Sequence, residues 1–218
     1  MIEYKYYDNK KIYRSDSLIN IFDYNNISEL KIIIYTNPFF KLPIYLTKFT
    51  CHSTQLIELP ELPNTLREFC CRNNQIIKSL PKLPNSLIIL NCSFNLLTKL
   101  PDLPESLKYL FCEHNLLTSL PKLPNSLIHL QCGNDPDCWE YKNNQIKSLP
   151  KLPNSLEFLS CHNNKLIILP NLPNSLEIIE CDNNQVRFFP ELPIKLTKLM
   201  YYNNNFIKTL QYLYKILY

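Results

Sequence analysis

The sequence predicts a repeat solenoid: a curved parallel β-sheet on the concave side, an extended or 3₁₀ convex side, and a short C-terminal capping helix. Three observations predict it. The stretch Leu83–Asp102, LPNSLIILNCSFNLLTKLPD, returns almost letter for letter as Leu103–Lys122, LPESLKYLFCEHNLLTSLPK, a step of twenty residues. The unit reads L-P-x-S-L-x-x-L-x-C-x-x-N-x-L-x-x-L-P-x, and copies start at Leu42, Leu62, Leu83, Leu103, Leu123, Leu152, Leu172 and Leu192. Cysteine and asparagine, finally, are tied to fixed positions of that unit, 10 and 13. A residue type locked to one position reports one repeated environment.

Before the first full copy lie residues 1–41, read as an N-terminal cap with a truncated first coil. Ile2–Tyr7 and Lys11–Arg14 flank Asp8-Asn9 as a hairpin would. Asp16 can cap a short helix running to Phe22. Ile32, Ile34, Asn37 and Phe39 match positions 8, 10, 13 and 15 of an incomplete coil. The first coil of a solenoid has no neighbour on one side, so its apolar end needs covering.

Residues 42–205 hold the eight repeats. Positions 5, 8, 10 and 15 are apolar, in one coil Leu87, Leu90, Cys92 and Leu97. Leu90 and Cys92 alternate with Ile89, Asn91 and Ser93, the period-2 pattern of a short strand. Stacked copies make a parallel sheet with strands ~4.8 Å apart, so eight coils span roughly 35–40 Å. The Asn at position 13 carries both donors and an acceptor, enough to satisfy turn backbone in its own coil and the next. Only Thr54 interrupts that column. The prolines of L-P-x-L-P remove N–H donors and disfavour helix before them, which keeps the return path extended or in a single 3₁₀ turn.

These motifs resemble leucine-rich repeats, and specifically the short L-P-x-L-P subtype of bacterial secreted ubiquitin-ligase effectors. The resemblance covers about residues 32–210. Cysteine at position 10 departs from the valine or leucine usual there. In that family the catalytic half follows the repeats, and none follows before Tyr218, so the resemblance implies a recognition fold and no ligase residue. The Asn, Ile, Lys and Tyr bias is similar to that of leucine-rich repeat proteins of giant DNA viruses of amoebae, which implies a host-cell protein as partner.

Two copies depart in length. The Leu62 unit has a one-residue bulge, placed around Ile77–Ser79. The Leu123 unit runs on to Leu152, and its extra segment, Gly133 to Tyr141, holds the only glycine and the only tryptophan, Trp139. After Asn204, residues 206–218 place Phe206, Leu210, Leu213, Tyr214 and Leu217 on one helical face, which fits a cap on the last coil, with an oligomer or partner helix as the alternative.

Composition narrows the function. The net charge of +4 is spread along the chain, which argues against a nucleic-acid stripe or a basic membrane patch. No apolar run reaches the roughly 20 residues of a membrane span. The charged, tyrosine-rich start is unlike a secretory signal. Seven of the nine cysteines sit at position 10, where stacked thiols point the same way and suit disulfide geometry poorly. Reduced thiols and a cytoplasmic setting are expected.

Catalytic motifs are missing, and no cofactor is expected. One glycine cannot build a phosphate loop. His52 and His162 share position 11 but lie five coils apart. His129, Cys132 and Cys138 with Asp135 or Asp137 form the one conceivable zinc set, although Cys132 should face the core and His129 the solvent. Cys70 beside Arg72 is the best, and a poor, candidate nucleophile. What remains is surface. Positions 7, 9 and 11 line the concave face, and their central copies are apolar and aromatic where a solvated sheet would be polar. The binding residues read from this pattern are Tyr109, Phe111, His129 and Phe158, joined by Trp139 and Tyr141 of the long repeat. The expectation is a non-enzymatic, monomeric module that binds a protein partner. A structural or self-assembling protein is the alternative, and a metal or enzymatic site at the long repeat a second one.

Overall fold

A computed structural model describes residues 2–6, 13–15, 26–32, 41–52, 58–74, 77–134 and 142–206. The chain forms one 11-stranded sheet. Its strands are β1 (Ile2–Tyr6), β2 (Tyr13–Ser15), β3 (Ile27–Ile32), β4 (Lys48–Thr50), β5 (Glu68–Cys70), β6 (Ile89–Asn91), β7 (Tyr109–Phe111), β8 (His129–Gln131), β9 (Phe158–Ser160), β10 (Ile178–Glu180) and β11 (Lys198–Met200). From β3 to β11 neighbours are parallel and in strict register, so Ile89, Tyr109, His129 and Phe158 stand side by side. The solenoid expected from the period is therefore the observed fold. No helix among the described residues is long and apolar enough to cross a membrane.

The repeat strands β4 to β11 are three residues long because the unit leaves room for no more. Position 8 points into the core: Phe49, Phe69, Leu90, Leu110, Leu130, Leu159 and Ile179 are all buried, and the rings of Phe49 and Phe69 stack at 5.6 Å. Position 5 leucines, position 10 cysteines and position 15 residues such as Leu97 and Leu117 close the same core. Just before each strand the N–H of position 5 donates to the carbonyl of the position-2 proline, as Leu87 does to Pro84 at 3.1 Å. Proline thus sets a tight turn that aims the chain into the sheet. The convex path that follows is extended.

The asparagine column is a ladder. Asn115 donates through Nδ2 to the carbonyls of Cys92, Cys112 and Glu113, and its Oδ1 accepts the N–H of Leu97 at 3.0 Å. Asn144, Asn164, Asn184 and Asn204 repeat the arrangement. One detail differs from expectation: each amide serves its own coil and the coil before it, not the one after. Thr54 lies outside the described residues. A second ladder comes from the position-4 hydroxyls. Thr65, Ser86, Ser106, Ser126, Ser155 and Ser175 each donate to the position-5 carbonyl of the preceding coil at 2.6–2.8 Å.

The amino-terminal register needs correcting. β1 pairs antiparallel with β2, as the hairpin reading expected, and β1 also pairs antiparallel with β3. However, β3 places Leu30, not Ile32, opposite Phe49 at position 8. Leu30 and Ile32 stand two residues apart in the sequence, so a period-2 pattern alone could not choose between them. Ile34, Asn37, Phe39 and the expected helices at residues 16–22 and 206–218 fall wholly or largely outside the described residues. The bulge of the Leu62 unit also moves. Ile77 is buried, and its carbonyl accepts from Leu96 just as Leu97 accepts from Leu116, so Ile77 holds position 15 and the extra residue precedes it.

Candidate functional site

Positions 7 and 9 of β7, β8 and β9 bring four of the expected binding residues together. The imidazole of His129 lies flat on the ring of Phe158, centroids 4.2 Å apart and planes 1° from parallel. On its other side Phe111 sits at 4.9 Å and Tyr109 at 6.3 Å. The register produces this cluster: Tyr109, His129 and Phe158 are direct neighbours across parallel strands, and Phe111 is two residues along from Tyr109 on the same face. Tyr109 is among the exposed large hydrophobic residues. Burial holds the His129 imidazole below its ordinary pKa, so the ring is neutral at pH 7 and suited to stacking. Trp139 and Tyr141 lie outside the described residues.

The flanks of the face are polar and mostly paired. Lys48 bridges Glu68 at 2.8 Å, and Lys198 bridges Glu180 at 3.0 Å. The guanidinium of Arg72 stands 4.6 Å over the ring of Phe94, which stacks in turn on His114 at 4.4 Å. Arg72 is therefore engaged with an aromatic face, while Cys70 is half-buried on β5.

Two residues past Phe111, on the same concave side, sits a carboxylate that the sequence reading did not single out. Glu113, at position 11 after β7, is buried. Its Oε1 receives a long contact from Gln131 Nε2 at 3.5 Å, and its Oε2 has no hydrogen-bond partner. Burial raises its pKa; a backbone hydrogen bond, the Ser93 hydroxyl and the charge of Arg72 offset this in part. The sign of the stability effect follows. An acid whose folded pKa lies above its unfolded value weakens folding at pH above the folded pKa. The penalty disappears as pH falls to the ordinary carboxyl range near 4.5. Glu113→Gln should thus raise the melting temperature at pH 7 by about 2–4 °C, the shift that about 1 kcal/mol produces in a chain of this size. The gain should shrink on acidification, as paired melting curves at pH 7 and pH 4 will show.

The root of the long repeat is tightly built. A Cβ on Gly133 would meet Cδ2 of His162 at 2.6 Å, Nε2 at 2.8 Å and the His162 backbone nitrogen at 2.9 Å. The only glycine of the chain is thus where the next coil's imidazole lies against the backbone. Asn134 is buried; its Oδ1 accepts the N–H groups of His114 and Asn144, and its Nδ2 donates to the carbonyls of Asn144 and Asn163. Asn163 answers with Nδ2 to the Asn134 carbonyl at 2.6 Å. Gly133 therefore belongs to the coil, and the departure begins at Asn134, which keeps the N–H bond to the His162 carbonyl but not the left-handed φ of the other described position-12 residues. Gly133→Ala should cost about 1–3 kcal/mol in urea unfolding, because overpacking against a backbone nitrogen cannot relax by a rotamer change. Adding His162→Ala should recover only part of it; full recovery would show that the ring alone sets the fit.

The structure does not bring the conceivable zinc set together. Cys132 lies in the hydrophobic core, whereas His129 is on the concave face, stacked on Phe158. Cys138, Asp135 and Asp137 lie outside the described residues. Among the described residues no group of three or more His, Cys, Asp or Glu is placed to hold a metal.

No family model matches the chain, and no curated protein matches it in sequence. Among solved structures it is similar to YopM from Yersinia enterocolitica WA-314, with 38% identity and a TM-score of 0.67 over 75% of this chain. It spans only 35% of that protein's length. It is also similar to a Shigella effector LRR domain, with 27% identity and a TM-score of 0.63, covering 88% of this chain and 76% of the other. The architecture is that of a leucine-rich repeat solenoid of the bacterial-effector type.

Proposed function

We propose that this solenoid, built like the repeat domains of bacterial effectors, is a non-enzymatic module that holds a partner protein on its concave face. One observation carries the reading: Tyr109, Phe111, His129 and Phe158 form a continuous aromatic cluster on the solvent side of the sheet. Aromatic residues lead the statistics of interface hot spots, and the paired charges of the flanks suit a polar rim. Trp139 and Tyr141 extend the site, since their segment leaves the coil at Asn134 and returns at residue 142, beside β8. On the compositional likeness to giant-virus proteins, the partner would be a host-cell protein met in the cytoplasm by a monomer.

The test separates stability from binding. Deleting residues 135–143 joins Asn134 to Asn144 and restores the twenty-residue unit, while keeping Gly133 against His162 and Asn134 beside His114 and Asn163. Deletion from Gly133 onward, which the sequence alone suggests, would remove both. The shortened protein should melt within about 4 °C of the parent, a change of about 1 kcal/mol. Its capture of a partner identified with the full chain should fall at least tenfold. Undiminished capture would remove Trp139 and Tyr141 from the site. Undiminished capture by Phe158→Ser would remove the concave face.

A further inference from the structure

The concave face has an electrostatic feature that aromatic stacking does not use. Its flanking carboxylates are answered from the neighbouring coil, Glu68 by Lys48 and Glu180 by Lys198. Glu113, at the centre and only 9% exposed, forms no ion pair among the described residues. Arg72 acts on it from a distance while its guanidinium rests over Phe94. Two further polar atoms on the same floor lack hydrogen-bond partners: Ser160 Oγ, in a residue 1% exposed, and His129 Nε2. Gln131 links these groups, because its amide reaches Glu113 and its side chain lies between His129 and the carboxylate on the same face. Folding has thus already stripped water from a carboxylate and two polar atoms on the same concave side as an open aromatic cluster.

Burying an unpaired carboxylate is costly in a fold that could carry serine there, as the preceding coil does with Ser93. A partner that brings a cation to such a site recovers a desolvation penalty already incurred in the free protein, which favours binding over folding. The surrounding rings select among cations. A guanidinium is planar, weakly hydrated and stacks on aromatic faces, whereas an ammonium is compact and strongly hydrated.

We infer that the concave face takes an arginine side chain of the partner, its guanidinium stacked in the cluster of Phe111, His129 and Phe158 and paired with Glu113. This rests on the concave-face reading above and specifies the chemistry of its partner. Glu113 Oε2 is covered in the free protein, so the pairing requires a turn of the terminal carboxylate that breaks the 3.5 Å contact to Gln131 and gives up the interactions with Ser93 and the backbone. Rotation about that sp³–sp² bond is soft.

The experiment uses the full chain and a random dodecapeptide phage library. Selected peptides should carry one arginine flanked by apolar residues. The best is then synthesised with arginine, lysine, citrulline or alanine at that place, and measured by fluorescence anisotropy. Citrulline, isosteric but uncharged, should bind at least tenfold more weakly than arginine, and lysine should fall between them. With Glu113→Gln, arginine and citrulline peptides should bind alike, although the variant melts higher than the parent and is therefore folded. A purely structural Glu113 would leave the arginine-to-citrulline ratio untouched. Selected peptides without a basic residue, or a ratio unchanged by Glu113→Gln, overturn the inference and leave the concave-face reading standing. Peptides that bind Phe158→Ser as well as the parent, or no selection above background, overturn both.

Discussion

Native protein treated with a maleimide at neutral pH should lose Cys70 long before any cysteine of position 10. Cys51, Cys71, Cys92, Cys112, Cys132, Cys161 and Cys181 are all fully buried, while Cys70 is half-buried on the concave side. Burial also raises the column's thiol pKa values, to about 12 for Cys132 and Cys181. Only the thiolate attacks, so poor access and poor ionisation suppress the same reaction. The column should react at least about 10³-fold more slowly than Cys70, at a rate set by opening of the fold. Cys138, outside the described residues, belongs by sequence to the departing segment and is expected to react early. Denaturant should expose all nine thiols. Mass spectrometry of timed samples will give the order, and early labelling at several position-10 cysteines would show that the repeat register is wrong.

Asn115→Ala should destabilise the protein by about 3 kcal/mol, with the loss read from urea midpoints. The reason lies in counting partners. The carbonyl of Cys92 keeps the Nδ2 of Asn95, and that of Cys112 keeps the Nδ2 of Asn144. The N–H of Leu97 has no such reserve, since Asn115 Oδ1 is its acceptor. One orphaned buried donor costs about 1–3 kcal/mol, and the remaining lost bonds and the small void add to it. Asn85→Ala, an exposed position-3 control, should stay within about 0.5 kcal/mol. Equal effects at the two sites would remove the ladder from the account of stability.

Much of the architecture was legible because the period does the work of a structure determination. Once Leu83 and Leu103 are equivalent, so are Tyr109 and His129, and the aromatic cluster follows by arithmetic. The cysteine and asparagine columns declared a buried and a hydrogen-bonded position for the same reason. Legibility failed where the period was weak. Leu30 and Ile32 alternate identically, and only pairing with Phe49 distinguishes them. It failed again where one residue type hid two roles. Among the described residues, position 12 adopts left-handed φ near +55° in every coil but that of Asn134, and asparagine there, as at Asn73, Asn163 and Asn183, suits it. Phe94 and His114 hold the same conformation, and their mutual stacking accompanies it. The serine of L-P-x-S-L was visible, but its acceptor belongs to another coil and could not be named. Glu113 was hardest, because its burial depends on how neighbouring coils close around a flexible side chain.

The two ladders bear on how such a gene can change. Each rung joins one unit to its immediate neighbour, and, Asn95 apart, which accepts from the Asn74 N–H, the donor and acceptor positions repeat. Loss of one whole copy by recombination between near-identical stretches of coding sequence would bring together two edges that already match. Natural selection for folding would scarcely notice. On the concave-face reading, selection for recognition would, because the copies beginning at Leu103, Leu123 and Leu152 supply Tyr109, Phe111, Glu113, His129 and Phe158, and the other copies do not repeat that combination. On that reading the lineage can vary its length at the outer copies while being held to these three, so recognition, not the stability of the protein, would decide which repeats are irreplaceable.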